Sequence, residues 1–195
     1  LEEIMNVAQI SKVQARLDPP LWLVTAAHGG RRGGFIATTV AQASIVSDMP
    51  RQLITVNKRH FTHGLIESSG ALAMHLIDET QLDLVWRFGL QSGRDADKFA
   101  GLTFRTGETG SPLLPAALGW FDCRVEERMD SGDRTIYLVA VVDGRLERSD
   151  PPLTNRRFFE IAPPDKRTIM DQQYERDSRL DAEAIQQWRG ERPEK

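Results

Sequence analysis

The sequence predicts a mainly β protein, an antiparallel barrel with a few short helices inserted, rather than a doubly wound α/β sheet. Three observations lead there. Segments rich in β-branched and aromatic residues outnumber helical ones. The helical segments interrupt the strands without alternating strictly with them. Two long strand patterns, 120–129 and 134–147, are separated only by "DSGD", a hairpin turn by composition.

Residues 1–17 bring Leu1, Ile4, Met5, Ala8, Val13 and Leu17 to one helical face. The helix should stop at "DPP", because a residue before proline is pushed out of the α region. "LWLVTAA" (21–27) reads as a strand and "HGGRRGG" as a turn. "FIATTVAQASIVS" (35–47) is β-prone again, and "RQLITVN" (51–57) is a further strand. "FTHGLIESS" reads as a short helix closed by Gly70, the residue a helix C-terminus favours. "ALAMHLI" (71–77) is a strand and "TQLDLVWRFGL" (80–90) an apolar-faced helix. Residues 91–119 read as loop with one helical turn. In 120–129, Phe121, Cys123 and Val125 share one face while Asp122, Arg124 and Glu126 share the other, a face expected to be wet or to meet something polar. The run Ile136–Val142 has almost no polar face and should be central.

From Asn155 the character changes. Basic and acidic side chains occur in equal number and apolar positions are sparse. We expect a domain over 1–154 and a charged, partly helical C-terminal extension over 155–195. Phe158, Phe159, Tyr174 and Trp188 would anchor it, with "DAEAIQQWRG" as its clearest helical piece. Such a tail either wraps a partner subunit or frays.

At 195 residues the chain suits one domain with an appendage. A net charge of −3 argues against a general nucleic-acid binder. No apolar run approaches a membrane span, and the charged start is unlike a secretory signal. The lone Cys123 excludes an intramolecular disulfide framework and suits a reducing cytoplasm. The start at Leu1 rather than methionine suggests a trimmed N-terminus.

Most familiar catalytic patterns fail. "HGGRRGGF" lacks the lysine and hydroxyl residue of a P-loop and enters a strand instead of a helix. His60 and His63 are three apart, with His75 and His28 as further candidates, yet no carboxylate lies at a matching offset, so we expect no metal. Neither "ESSG" nor Cys123 has the surroundings of a nucleophile, and Asp95 and Asp97 read as a capped turn. There remains "VNKRHFTHGLI". Asn57, Lys58, Arg59 and His60 form a basic corner leaving a strand, and Thr62 opens a helix. Such a corner is either a phosphate site or a solvated loop. Ala37, Thr38, Thr39, Gln42 and Ser44 supply small or polar side chains that let a flat ring approach the backbone.

On these residues the sequence resembles the flavin reductase-like family, whose fold is the FMN-binding split barrel. "LWLVTAAHGGRRGGFIATTVAQASIVSDMP" is similar to the family's opening strand pair, and "ITVNKRHFTHGLIESSGALAMHLI" to its phosphate segment, helix and strand. "FGLQSGRDADKFAGL" and "LPAALGWFDCRVEERMDSGDRTIYLVAVV" resemble two later blocks. The match runs from about Leu21 to about Leu146.

The resemblance implies a homodimer that binds FMN, or accepts FAD, and takes hydride from NAD(P)H for a partner oxygenase or electron acceptor. It places Ala37, Thr38 and Thr39 against the isoalloxazine and ribityl chain, and Gln42 and Ser44 at the ring edge. Asn57, Lys58, Arg59, His60 and Thr62 would hold the phosphate. No protein acid or base is required, because the chemistry belongs to the cofactor. Arg134 stands where many members carry a histidine near the nicotinamide side, and an arginine there would meet a phosphate or carboxylate. Two alternatives to the NAD(P)H:flavin oxidoreductase are an FMN-holding electron carrier reduced by another protein and a flavin-free split-barrel binding protein.

Overall fold

The computed structural model describes residues 6–191. In chain order the elements begin with α1 (Val7–Gln14), β1 (Trp22–His28), β2 (Arg31–Ala37), β3 (Val40–Gln42), β4 (Arg51–Asn57), α2 (Phe61–Ser69) and β5 (Ala71–Leu76). They continue with α3 (Leu82–Leu90), β6 (Arg105–Thr106), β7 (Pro112–Leu113), β8 (Gly119–Asp130) and β9 (Arg134–Leu146), and end with α4 (Asn155–Ile161) and α5 (Pro164–Gly190). Seven strands form one antiparallel sheet in the order β2-β1-β5-β8-β9-β4-β3. The sheet curls into a half-barrel whose edges, β2 and β3, are joined only through Thr38 and Thr39. The mainly β split-barrel expectation is met.

Two cores lie on opposite faces of β1. Val24 and Ala26 join Phe35, Ile54, Leu72, Tyr137 and others inside the curl, where Leu65 and Ile66 of α2 also pack. Leu21 and Leu23 face the other way, onto Val85 and Phe88 of α3 and Phe158 of α4. Both faces of the strand are therefore dry, which explains its nearly continuous apolar run. Burial also explains Cys123, which is fully enclosed and whose thiol pKa is pushed upward.

The glycine-rich segment folds differently from the expected long turn. Only Gly29 and Gly30 turn, both at positive φ (57° and 75°), as a two-residue hairpin requires. Arg31 to Gly34 already belong to β2. There a Cβ on Gly33 would lie 2.9 Å from both Phe61 and Thr62, and one on Gly34 would lie 2.8 Å from Phe88. These glycines let α2 and α3 settle directly on the sheet. The expected strand 35–47 is likewise cut short: β2 ends at Ala37 and β3 spans three residues.

Residues 91–119 hold the small β6–β7 ladder as well as loop. This excursion covers only the Asp122 end of the β8 face expected to be wet, and Arg124 and Glu126 on that face are exposed as expected. Asp122 is fully buried beneath the excursion, accepting hydrogen bonds from the Thr109 hydroxyl (2.5 Å) and amide (2.9 Å). Of the expected N-terminal helix, Leu1, Ile4 and Met5 lie outside the described residues. Val7, Ile10, Val13 and Leu17 are exposed.

The C-terminal segment is more helical than its composition suggested. Between Pro164 and Gly190 there is neither proline nor glycine, and helix formers dominate, so one 27-residue helix runs through. Phe158 and Trp188 anchor the segment, the first in the outer core and the second against Gly132, whereas Tyr174 is 76% exposed and Phe159 also faces solvent. α5 lies back across its own barrel, against the β8–β9 turn.

Candidate functional site

A cleft of about 1130 Å³ opens between the start of α2, the loop following α3 and one side of α5. β4 ends at Asn57, and its last residues pair with the first residues of β9, so Asn57 sits opposite Arg134. The Asn57 carbonyl accepts from His60 N–H (3.0 Å) and its side-chain oxygen accepts from Arg59 N–H (2.9 Å). This tight corner turns the chain into α2. His60 occupies the N-cap without making a side-chain capping bond, so the first N–H groups of α2 are left for solvent or a ligand.

Of the ten residues expected to bind cofactor, Asn57, Arg59, His60 and Thr62 line this cleft, together with Arg134. Lys58 does not: its Nζ turns away to Asp130, 2.6 Å distant. Ala37 lies at the end of β2, Thr38 and Thr39 in the crossing to β3, and Gln42 at the end of β3 with Ser44 just beyond. They form a separate ledge, with Thr39 Oγ1 2.6 Å from Thr55 Oγ1 and the Gln42 amide donating to the Ser44 carbonyl (2.7 Å). Arg31 and Arg32 border a smaller neighbouring pocket of about 330 Å³. There Arg32 is held by Asp97 at 2.6 Å and lies over Phe104.

The cleft wall also contains residues that sequence reasoning missed. Lys98 is almost wholly buried and donates to the carbonyls of Gly34 (3.0 Å) and Phe88 (2.9 Å). Burial lowers its pKa to about 8, which still leaves it mostly charged at neutral pH. Arg94 donates to the Arg59 carbonyl at 2.9 Å. On the opposite wall, Asp181 of α5 accepts from Asn57 Nδ2 at 2.9 Å, Arg59 Nη1 at 2.5 Å and Arg134 Nη2 at 3.3 Å. Arg134 also pairs with Asp133 at 3.0 Å, and Asp177 lies 3.7 Å from Arg59. "DKF" offered a local signal for Lys98. Asp177 and Asp181 had none, since helical charge usually faces solvent.

The histidines have distinct settings. His60 stacks on Phe35 with centroids 4.8 Å apart. Its ring is open to the cleft yet flanked by protein; that crowding, then Lys98 and Arg134, lowers its pKa to about 4. The shift leaves the imidazole neutral at pH 7. His63 Nε2 lies 2.9 Å from Thr135 Oγ1. His75 is fully buried, bridging the Leu23 carbonyl (2.9 Å) and the Leu114 N–H (3.1 Å), so Nδ1 carries the proton.

Two arginines, an asparagine amide, a hydroxyl and free helix N–H groups make a donor set suited to a phosphate. The cleft is large enough to admit a nucleotide, whereas Ala37, Thr38, Thr39, Gln42 and Ser44 lie outside its lining.

The family model described as "Flavin reductase like domain" matches residues 15–162. High molecular weight rubredoxin of Moorella thermoacetica is 32% identical over 72% of this chain, a match that spans only 62% of the rubredoxin's own length. FMN reductase (NADH) RutF of Agrobacterium fabrum is 30% identical over 74% of this chain and 82% of its own. Among solved structures, nitrilotriacetate monooxygenase component B from Mycobacterium thermoresistibile is 28% identical with a TM-score of 0.66, over 78% of this chain and 83% of that one. All of α5 lies beyond the matched residues. The half-barrel, its ordered sequence blocks and the family match together establish that the chain belongs to the flavin reductase-like family.

Proposed function

We propose that the protein is an NAD(P)H:flavin oxidoreductase that holds FMN and delivers reduced flavin or electrons to an acceptor protein. One observation carries the reading: Asn57, Arg59, His60 and Thr62 converge with Arg134 at the start of α2. When bound, FMN supplies the hydride-accepting ring. Arg59 and Asn57 then neutralise and orient its phosphate, and the first N–H groups of α2 add donors whose direction is fixed by the helix. Lys58 contributes charge from outside the cleft. Ala37, Thr38, Thr39, Gln42 and Ser44 form the ledge for the ring, and none of them needs to exchange a proton. Arg134 faces the same cleft beside Arg59, where it meets a phosphate of the flavin or an anionic part of the donor. FAD would extend further along the cleft, whose size admits it.

The remaining expectations belong to the same proposal. Residues 1–154 form the cofactor-binding unit and 155–195 an accessory segment, with α4 packed into the outer core. The outer face of β4 and β9 carries Leu53, Ile136 and Leu138, with Met129 beside them on β8, only half-buried or exposed. This apolar stripe suits a second copy, as a homodimer requires. No helix among the described residues is long and apolar enough to cross a membrane, and a lone buried thiol suits the cytoplasm. An oxygenase component is the acceptor favoured by the relatives' names.

The test is a titration of the purified protein with FMN and FAD, followed by flavin fluorescence, then addition of NADH or NADPH with the oxidised flavin band monitored. Binding and bleaching are expected. Absence of binding by either flavin would overturn the reading. One observation favours a carrier without its own nicotinamide activity: Arg134 is already engaged by Asp133 and Asp181. Flavin binding with no bleaching by either donor would select that alternative.

A further inference from the structure

The anion site is not vacant in this fold: a carboxylate of the same chain occupies it. Asp181 takes hydrogen bonds from Asn57, Arg59 and Arg134, which is the donor set a phosphate would use. Asp177, one helical turn earlier, adds a second contact to Arg59 through both its carboxylate (3.7 Å) and its carbonyl (3.5 Å). With Asp133 also on Arg134, both Arg59 and Arg134 have internal counterions. A phosphate arriving there would find cations already neutralised and two carboxylates close by, so the two kinds of anion exclude one another.

α5 is built to leave. None of its residues is fully buried, although it is 27 residues long. Its polar contacts with the cleft are ion pairs, the hydrogen bonds from Asn57 to Asp181 (2.9 Å) and from Arg59 to the Asp177 carbonyl (3.5 Å), and a long one from Gln173 to the Leu90 carbonyl (3.4 Å). Apolar anchoring is confined to its ends: Met170 packs beside the outer core, and Ala184, Ile185 and Trp188 rest on the β8–β9 turn at Gly132. Partly exposed ion pairs are individually weak and are released by salt or a competing anion.

We propose that α5 is a carboxylate-bearing lid that closes the anion site in the absence of ligand and is displaced when a flavin phosphate binds. The inference rests on the flavin reading above. Docking of the helix and binding of the phosphate compete for Arg59 and Arg134, so each lowers the apparent affinity of the other. The lid restrains flavin binding until flavin is abundant, and it reseals the cationic cleft after flavin leaves.

The experiment compares the full chain with the Asp177→Asn, Asp181→Asn double variant. FMN is titrated by fluorescence, and amide exchange over residues 173–188 is followed with FMN, with inorganic phosphate and with chloride at equal ionic strength. The variant is expected to bind FMN on the order of tenfold tighter, within the range of ordinary two-site coupling. In the unaltered chain, FMN and phosphate should both speed exchange over 173–188 more than chloride does. Equal or weaker FMN binding by the variant overturns the lid, as does slower exchange over 173–188 with FMN, which would mean that the helix closes onto the ligand. If neither protein binds FMN but phosphate still opens the helix, the lid stands and the flavin reading falls. If neither FMN nor phosphate has any effect, both fall.

Discussion

The Asp181 carboxylate lies 2.5 Å from Nη1 of Arg59, although 122 residues of chain separate the two. That contact joins the C-terminal half of a long polar helix to the corner where β4 becomes α2. It makes Arg59 the residue on which both the anion site and the docking of α5 depend.

Arg59→Gln should therefore have two effects. FMN affinity should fall about ten- to hundredfold, since a hydrogen bond to a charged group contributes about 1.5–3 kcal/mol. Exchange in α5 should rise without any ligand, because the helix loses its shortest ion pair. Fluorescence titration reads the first effect and amide exchange the second.

Gly132→Ala should loosen α5 at the opposite end. Gly132 has φ 96°, and a Cβ there would lie 3.0 Å from the Cβ of Trp188 and 3.1 Å from the Ala184 carbonyl. The strained backbone costs about 1–3 kcal/mol, and the helix must give way there by a few tenths of an ångström. Amide exchange over 181–190 should increase while that of β5 is unchanged.

Gly34→Ala should destabilise the barrel itself. Its Cβ would meet Phe88 and the Val24 carbonyl, both at 2.8 Å, and the carbonyl belongs to a central strand that cannot move aside. Overpacking of this kind costs about 1–3 kcal/mol, which lowers Tm by about 3–10 °C in a domain of this size. Calorimetry checks it. Gly29→Ala, at the exposed hairpin tip, meets no neighbouring atom and should suffer only the cost of positive φ.

His75 sets a pH dependence. Burial holds its pKa at about 4 in the folded protein, against 6.5 ordinarily. Between those values the unfolded chain binds a proton that the folded chain refuses. Its contribution is therefore complete above pH 6.5 and is lost as pH falls towards 4. The loss is on the order of 3 kcal/mol. His60 and His63 shift in the same direction, so urea midpoints at about pH 7.5 and about pH 5 report their sum. The His75 ring proton signal isolates the one residue: it should not move across that interval.

Much of the fold was legible because its cues are local. The alternation in 51–57 and 71–77, the unbroken apolar run of β9 and the "DSGD" turn gave strands close to the observed bounds. Gly70 ended α2 as expected, at φ 65°. The segment 28–34 misled because glycine serves two purposes. Gly29 and Gly30 turn the chain, while Gly33 and Gly34 make room for helices that are remote in sequence. Asp122 misled for a similar reason, since the loop that buries it begins fifteen residues before it.

The family, most of the strands and the basic corner at Asn57–Thr62 were readable from residue order, because propensity, turn chemistry and ordered blocks are written in neighbouring residues. Tertiary structure alone decided that Lys58 turns out to Asp130 while Arg59 and Arg134 turn in, and that α5 supplies their counterions. A charged helix reads the same whether its carboxylates face water or two arginines. Only the packing of α5 against Gly132 settles which, by fixing where along the cleft those carboxylates fall.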